Sequence, residues 1–173
     1  LDDFQGKVMA RFAAKSLKIK KVAIFYDKSN DYSVGLSKYF RAAFEKEFDG
    51  EILAEEAYQR TDSDFSAQLT NISSKNPEAI YEPGYYTQVG QIAQQARKGG
   101  IKVPLLGGDG WDSPALIEIG KDAINGSYFS NHYTIEDPDP DIQKFVGNYK
   151  AKFGKVPDAL AALGYDAARI LYA

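Results

Sequence analysis

The sequence predicts a doubly wound α/β fold of the flavodoxin-like type: a five-stranded parallel sheet with helices on both faces, followed by a pair of C-terminal helices. Two observations predict it. Short apolar runs alternate with stretches of helical length over most of the chain, which is the pattern of successive strand–helix units. The first run, residues 22–26, is apolar throughout, as expected for a strand that is covered on both faces.

The elements of the first half follow from spacing and from turn residues. Phe4, Val8, Phe12 and Ala13 recur at helical spacing before the first strand and should form the buried face of the first helix. Asp49-Gly50 stops the second helix. Thr61 to Asp64 offer side chains that can cap a third helix. The predicted order is a helix over 3–16, a strand over 22–26, a helix over 33–48, a weaker strand over 52–58 and a helix from 65.

The second half repeats this order. Pro83-Gly84 ends a short strand, and Gly99-Gly100 closes the helix that follows it, because glycine commonly terminates helices. The predicted order here is a strand over 79–81, a helix over 87–98, a strand over 103–106, a short helix over 113–119 and a strand over 126–131.

The pattern changes after Tyr133. A linker with two prolines, residues 136–140, precedes helices at 141–153 and 158–172, and two helices without a strand between them do not continue the sheet. We therefore predict two units, residues 1–132 and residues 133–173. The second should be part of a structure whose remainder lies elsewhere. Its helices should expose the apolar side chains Phe145, Leu160, Leu163 and Leu171. We expect these helices to pack on the first unit, to pack on a second copy of the chain, or to be partly disordered.

Composition excludes several classes of protein. The net charge is −3 and the 21 basic residues are scattered, so no basic face points to nucleic acid. The absence of cysteine removes disulfides, thiolate nucleophiles and most structural zinc sites. No apolar run approaches the roughly 20 residues that cross a bilayer. We expect neither a metal nor a cofactor.

Three loops should meet at one edge of the sheet, because ligands of open parallel sheets bind beyond the carboxyl ends of the strands. These loops cover residues 27–32, 83–86 and 107–111. Asp109, fixed between glycines, can pair with a cationic group. Tyr32 and Tyr85 can hydrogen-bond that group and cover its apolar part.

The enzymatic alternatives fit poorly. An aspartyl phospho-acceptor needs an aspartate at the tip of the third strand, where this chain has Glu82-Pro83. The run from Gly107 to Gly110 has neither P-loop nor dinucleotide-binding spacing, and is better explained as a tight turn. The single histidine, His132, has no histidine partner, and we interpret it as a hydrogen-bonded structural residue. The sequence favours a binding protein over an enzyme.

Six segments, taken in order and spacing, resemble a known family. They are LDDFQG, KKVAIFYDKSNDYSVGL, Asp64-Phe65-Ser66, GYYTQVGQIAQQARKGG, LLGGDGW and YKAKFGKVPDALAALGYDA. The chain resembles the branched-chain amino-acid (Leu/Ile/Val-type) periplasmic binding proteins of ABC importers over essentially its whole length. That family has two α/β lobes that close over a ligand. This chain resembles the second lobe, with residues 133–173 returning toward the first.

The resemblance implies a ligand site. The family has a ligand-binding tyrosine after the first strand, which corresponds to Tyr32, and another in the turn that begins at Gly84, which corresponds to Tyr85. Its acid that pairs with the ligand's ammonium corresponds to Asp109. Trp111 either shapes the side-chain pocket or packs on the following helix. The family often has Glu at the position of Asp109, which leaves the ligand's identity open.

The resemblance also implies a function. The implied function is that of a non-enzymatic solute-binding component of an ABC importer. Its ligand would be an amino acid or a similar small polar solute, and its protein partners would be a membrane permease and the first lobe. We expect a periplasmic or extracellular location, with a signal peptide in the precursor and a lipid anchor as one form of attachment. The effector-binding region of a LacI-type transcription regulator and a receptor or sensor ectodomain share the fold and stay as alternatives.

Overall fold

A single parallel sheet organises the chain, of which the computed structural model describes residues 2–172. The strands are β1 (Lys21–Asp27), β2 (Glu51–Tyr58), β3 (Ala79–Tyr81), β4 (Leu105–Gly107) and β5 (Tyr128–Phe129). Their order in the sheet is β2-β1-β3-β4-β5, and all four neighbouring pairs are parallel. The predicted doubly wound sheet is thereby confirmed. Residues 1 and 173, at the outer ends of the two predicted units, lie outside the described residues.

The helices also follow the predicted order. They are α1 (Asp2–Arg11), α2 (Asp31–Lys46), α3 (Ser66–Ser74), α4 (Tyr86–Lys98), α5 (Pro114–Gly120), α6 (Pro140–Phe153) and α7 (Ala159–Leu171). Side-chain caps fix several starts: Asn30 accepts a hydrogen bond from a backbone N–H of α2, and Ser113 does the same for α5. Within the described part of the chain, no helix has the combination of length and apolar character that crossing a bilayer requires.

Two hydrophobic cores lie on opposite faces of the sheet, because successive side chains of a strand point to opposite sides. Val22 and Ile24 of β1 belong to the core under α1 and α2. Ala23 and Phe25 belong to the core under α3, α4 and α5. All four side chains are fully buried, which confirms that the apolar run of β1 is covered on both faces.

The buried face of α1 differs from the one that the apolar spacing indicates. Phe4 is 67% exposed and Val8 is 39% exposed. The side chains that face α2 and the sheet are smaller or polar, among them Gln5, Met9 and Ala10. The α1 backbone approaches α2 closely at Gly6, where an added Cβ would lie 2.9 Å from the backbone of α2. The close approach of the two helices therefore favours small side chains on the face of α1 that contacts α2.

Two strands are shorter than predicted. β4 begins at Leu105 because Pro104 has no N–H to donate into the ladder, although its carbonyl accepts a hydrogen bond from Ile80. β5 is limited to two residues at the edge of the sheet: Ser127, just before it, bonds back to Ile124 in a turn, and the bond from the Ser130 N–H to the Gly107 carbonyl lies at the end of its pairing with β4.

The C-terminal helices contact one another through aromatic rings and leave much apolar surface exposed. The Phe145 ring lies 4.8 Å from that of Tyr165 between α6 and α7. Leu160, Leu163 and Leu171 are 37%, 42% and 83% exposed, as the sequence predicts. One link to the sheet unit is a hydrogen bond of 2.7 Å from the Ala159 N–H to Asp112. The division at residue 132 stays a prediction.

Replacing Phe65 with Ala should lower the free energy of unfolding by about 3–5 kcal/mol, because it empties a fully packed position. Phe65 is 0% exposed and makes edge contacts with Phe25 and Tyr58. The matched control is Phe4→Ala at an exposed position, which should cost less than about 0.5 kcal/mol. Urea denaturation measures both; equal losses would contradict the assigned core.

Candidate functional site

The candidate site lies where the strand order reverses, between β1 and β3. β2 lies on one side of this pair and β4 on the other, so the crossovers leave a crevice at the carboxyl ends. Tyr32 follows β1, Tyr85 follows β3 and Asp109 follows β4. The structure brings these three predicted residues together.

Asp109 is the polar centre of this cluster. It is 7% exposed, and its Oδ1 accepts hydrogen bonds from the Tyr32 hydroxyl at 2.8 Å and from Gln5 Nε2 at 2.9 Å. A buried carboxyl needs such donors to offset the loss of water. Its Oδ2 accepts no hydrogen bond from the described residues and lies 3.7 Å from His132 Nε2.

The phenol of Tyr32 is held as a hydrogen-bond donor. Burial, with the nearby Asp109 as the next cause, raises the pKa of Tyr32 far above its ordinary value, so the hydroxyl keeps its proton. The same oxygen accepts a hydrogen bond of 3.0 Å from the Gly110 N–H. Tyr32 therefore connects α2 to the turn that carries Asp109.

The Tyr85 ring lies beside Tyr32, with ring centroids 5.3 Å apart and the planes tilted by 33°. Gly110 makes this approach possible. A Cβ there would lie 2.8 Å from the Gly84 carbonyl oxygen and 3.2 Å from the Tyr85 ring. The two aromatic rings thus form a polar-edged wall next to the acid.

Gly84 lies over a buried acid that the sequence reasoning did not detect. Glu82 is 0% exposed, and its Oε1 accepts a hydrogen bond of 2.5 Å from the Tyr58 hydroxyl. A Cβ at Gly84 would collide with both of these oxygens, so this turn requires glycine. Contact between Gly84 and a ligand stays a prediction.

The Glu82 carboxyl is held in its neutral form. Burial raises the pKa of Glu82 well above its ordinary value, and the hydrogen bonds from Tyr58 and the Gly84 backbone oppose this rise without cancelling it. Its Oε2 is buried without a hydrogen-bond partner among the described residues. An unpaired buried oxygen is far less costly on a neutral acid than on a carboxylate.

Trp111 lies under the site. Its ring is 1% exposed, its indole N–H donates a hydrogen bond of 3.0 Å to the Glu82 carbonyl, and it packs near Phe129. These are packing contacts with the end of β3 and with β5, and a role in packing on α5 stays a prediction. Contact with a ligand side chain stays a prediction and would require the ring to emerge from this position.

Two further residues of the site escaped the sequence reasoning. Gln5 donates to Asp109 from α1, and His132 Nε2 lies 3.7 Å from Asp109 Oδ2. The sequence of α1 gives no signal for Gln5, because its apolar spacing points to the face of Phe4 and Val8 and not to the face that is buried. His132 follows β5, and only the assembled sheet places it at the same edge.

The site offers a carboxyl group that is held in a fixed orientation. Within residues 2–172, no three carboxyl or imidazole side chains lie close enough together to hold a metal ion. One carboxyl oxygen of Asp109 is fixed by two donors, and the other is open. Such an arrangement can bind a cation that brings its own hydrogen-bond donors.

A family model described as "Periplasmic binding protein" matches residues 2–173. The chain belongs to the periplasmic binding protein family. A Leu/Ile/Val-binding protein of Rhizobium johnstonii is 35% identical over 130 residues, which are 75% of this chain and 35% of that protein. The resemblance inferred from the sequence is thereby confirmed.

Solved structures agree. A leucine-binding protein of Thermotoga maritima is 47% identical with a TM-score of 0.93, and the match covers 99% of this chain and 49% of that one. A branched-chain amino acid transporter substrate-binding protein of Streptococcus pneumoniae, in complex with isoleucine, is 34% identical with a TM-score of 0.85, covering 98% and 48%. This periplasmic binding protein chain thus spans half or less of the length of these relatives, which are named as binding proteins rather than enzymes.

The neutral state of Glu82 predicts a pH-dependent stability. The pKa of Glu82 is raised in the folded chain. Between the ordinary pKa and the raised pKa, the folded state therefore keeps a proton that the unfolded state has lost. The stabilisation is full below the ordinary pKa of 4.5 and is lost as the pH rises toward the folded value. Replacing Glu82 with Gln removes this titration.

The free energy of unfolding of the unmodified chain, minus that of Glu82→Gln, should therefore fall as the pH is raised from about 5 to about 8. Urea denaturation at several pH values measures this difference. Glu118→Gln, on the exposed side of α5, is the matched control. A difference for Glu82 that stays constant with pH would contradict a neutral buried acid.

Proposed function

We propose that this chain forms one wall of the ligand site in a solute-binding component of an ABC importer, and that the ligand is an amino acid of the branched-chain type. Asp109 carries the proposal. It is a buried carboxyl with one oxygen held by Gln5 and Tyr32 and the other without a hydrogen bond from the described residues. The names of the relatives, which bind leucine, isoleucine or valine, supply the ligand class.

The physical chemistry of an amino acid fits this arrangement. An ammonium group that enters a closing crevice loses its water and needs a carboxylate and other acceptors in return. The open Oδ2 of Asp109 supplies the charge. The rings of Tyr32 and Tyr85 can cover adjoining apolar atoms and attract the ammonium through their faces.

The second wall belongs to a first lobe, in this proposal. The substrate carboxylate would be held by hydroxyls and backbone amides there, since the described site around Asp109 presents a negative group and not a cation. A single lobe should bind weakly, because only part of the ligand loses contact with water. A membrane permease is the proposed partner, and the location is outside the cytoplasmic membrane.

Asp109→Ala, made in a protein that joins this chain to a first lobe, should weaken leucine binding by about 30-fold or more, because loss of a buried ion-pair partner costs about 2 kcal/mol or more. Calorimetric titration with the twenty amino acids measures this and identifies the ligand. Asp122→Ala, in the exposed turn Lys121–Ile124, removes the same charge and is the matched control. An effect of Asp109→Ala within about threefold would reject the ammonium role.

A further inference from the structure

The open oxygen of Asp109 faces the single histidine of the chain. His132 Nε2 lies 3.7 Å from Asp109 Oδ2, and their side chains are 29% and 10% exposed. This separation is too long for a hydrogen bond but close enough for a strong interaction between opposite charges. A donor group placed between the two atoms can reach both.

The segment that leads to His132 is tied to the turn that carries Asp109. The Ser130 N–H donates to the Gly107 carbonyl at 3.2 Å. Gln5 Nε2, besides its bond to Asp109, lies 3.4 Å from the Ser130 carbonyl, and Asn131 donates to Asp112 at 3.0 Å. These bonds hold the segment after β5 against the segment after β4, which brings the His132 imidazole close to the Asp109 carboxyl.

The other groups around this pair are accounted for. Tyr32 keeps its proton and contributes no charge, and Gln5 is neutral. Asp112 lies one turn away and is occupied by Asn131 and by the Ala159 N–H. Among the described residues, His132 is the one side chain able to become cationic within 4 Å of the Asp109 carboxyl.

We infer that His132 and Asp109 together form a proton-linked site for the ligand's ammonium. This rests on the proposed amino-acid ligand and adds a residue and a regulation to it. The neutral imidazole accepts a hydrogen bond from the ammonium that Oδ2 also binds. The protonated imidazole instead pairs with Oδ2, occupies the position of the cation and repels it.

The exchange of a proton on His132 for the ligand's ammonium conserves both charge and protons. Below the pH at which the imidazole becomes charged, the ammonium displaces one proton from His132, and that proton passes to solvent. Histidine changes its charge between about pH 5 and pH 8, whereas the ammonium of leucine stays charged over that range. Leucine affinity should therefore fall on acidification by up to about tenfold per pH unit, the limit for release of one proton.

The test is calorimetric titration of leucine between about pH 5 and pH 8 into the same two-lobe protein, in pairs of buffers that differ in ionisation enthalpy. The unmodified protein should release up to one proton per leucine at the acidic end and lose affinity there. His132→Asn, which keeps a polar side chain without a titratable proton, should show neither effect. Asp122→Asn, remote from the site, should retain both.

The outcomes separate the two proposals. If leucine binds in an Asp109-dependent manner but His132→Asn keeps the pH dependence and the proton release, the role of His132 is overturned and the proposed function stands. If leucine and the other nineteen amino acids fail to bind at every pH, both are overturned. Loss of the pH dependence in His132→Asn alone supports the proton-linked site.

Discussion

The hydrogen bonds to the Asp109 carboxyl determine how the rest of the site is arranged. A carboxyl this deeply buried requires donors, and it takes them from α1 through Gln5 and from α2 through Tyr32. Both helices lie on the same face of the sheet. The acid therefore joins the packing of that face to the geometry of the crevice, since a shift of either helix would remove one of the two hydrogen bonds to Asp109 Oδ1.

A second buried acid supports the neighbouring turn by different means. Glu82 lies beneath Gly84, bonded to Tyr58 and held neutral by burial, whereas Asp109 has two donors on one oxygen and no hydrogen bond from the described residues on the other. The first acid lies against the turn that carries Tyr85, and the second is the one proposed to bind a ligand. The surroundings of each carboxyl, rather than its residue type, separate these roles.

The C-terminal helices carry an apolar surface that begins beside the candidate site. The Ala159 N–H of α7 donates a hydrogen bond to Asp112, and Leu160 lines a crevice with Tyr85 and Tyr86. Farther along, the side chains of α7 are largely exposed, and Leu171 is 83% exposed. An apolar helix surface of this kind is typical of an interface. In the proposed function, a first lobe covers this surface and supplies the second wall of the ligand site.

The sequence by itself determined the order of strands and helices, the parallel sheet and the predicted cluster of Tyr32, Tyr85 and Asp109, because apolar periodicity and glycine-flanked turns are local properties of the chain. It misjudged the buried face of α1, since close approach to α2 favoured small residues and left Phe4 in water.

Only the tertiary structure decided that Gln5, Glu82 and His132 belong to or support the site. These three residues come from α1, from the end of β3 and from the segment after β5, and nothing in their local sequence links them. Their proximity arises because the carboxyl ends of parallel strands converge at one edge, and because most buried polar groups find a hydrogen-bond partner across the fold.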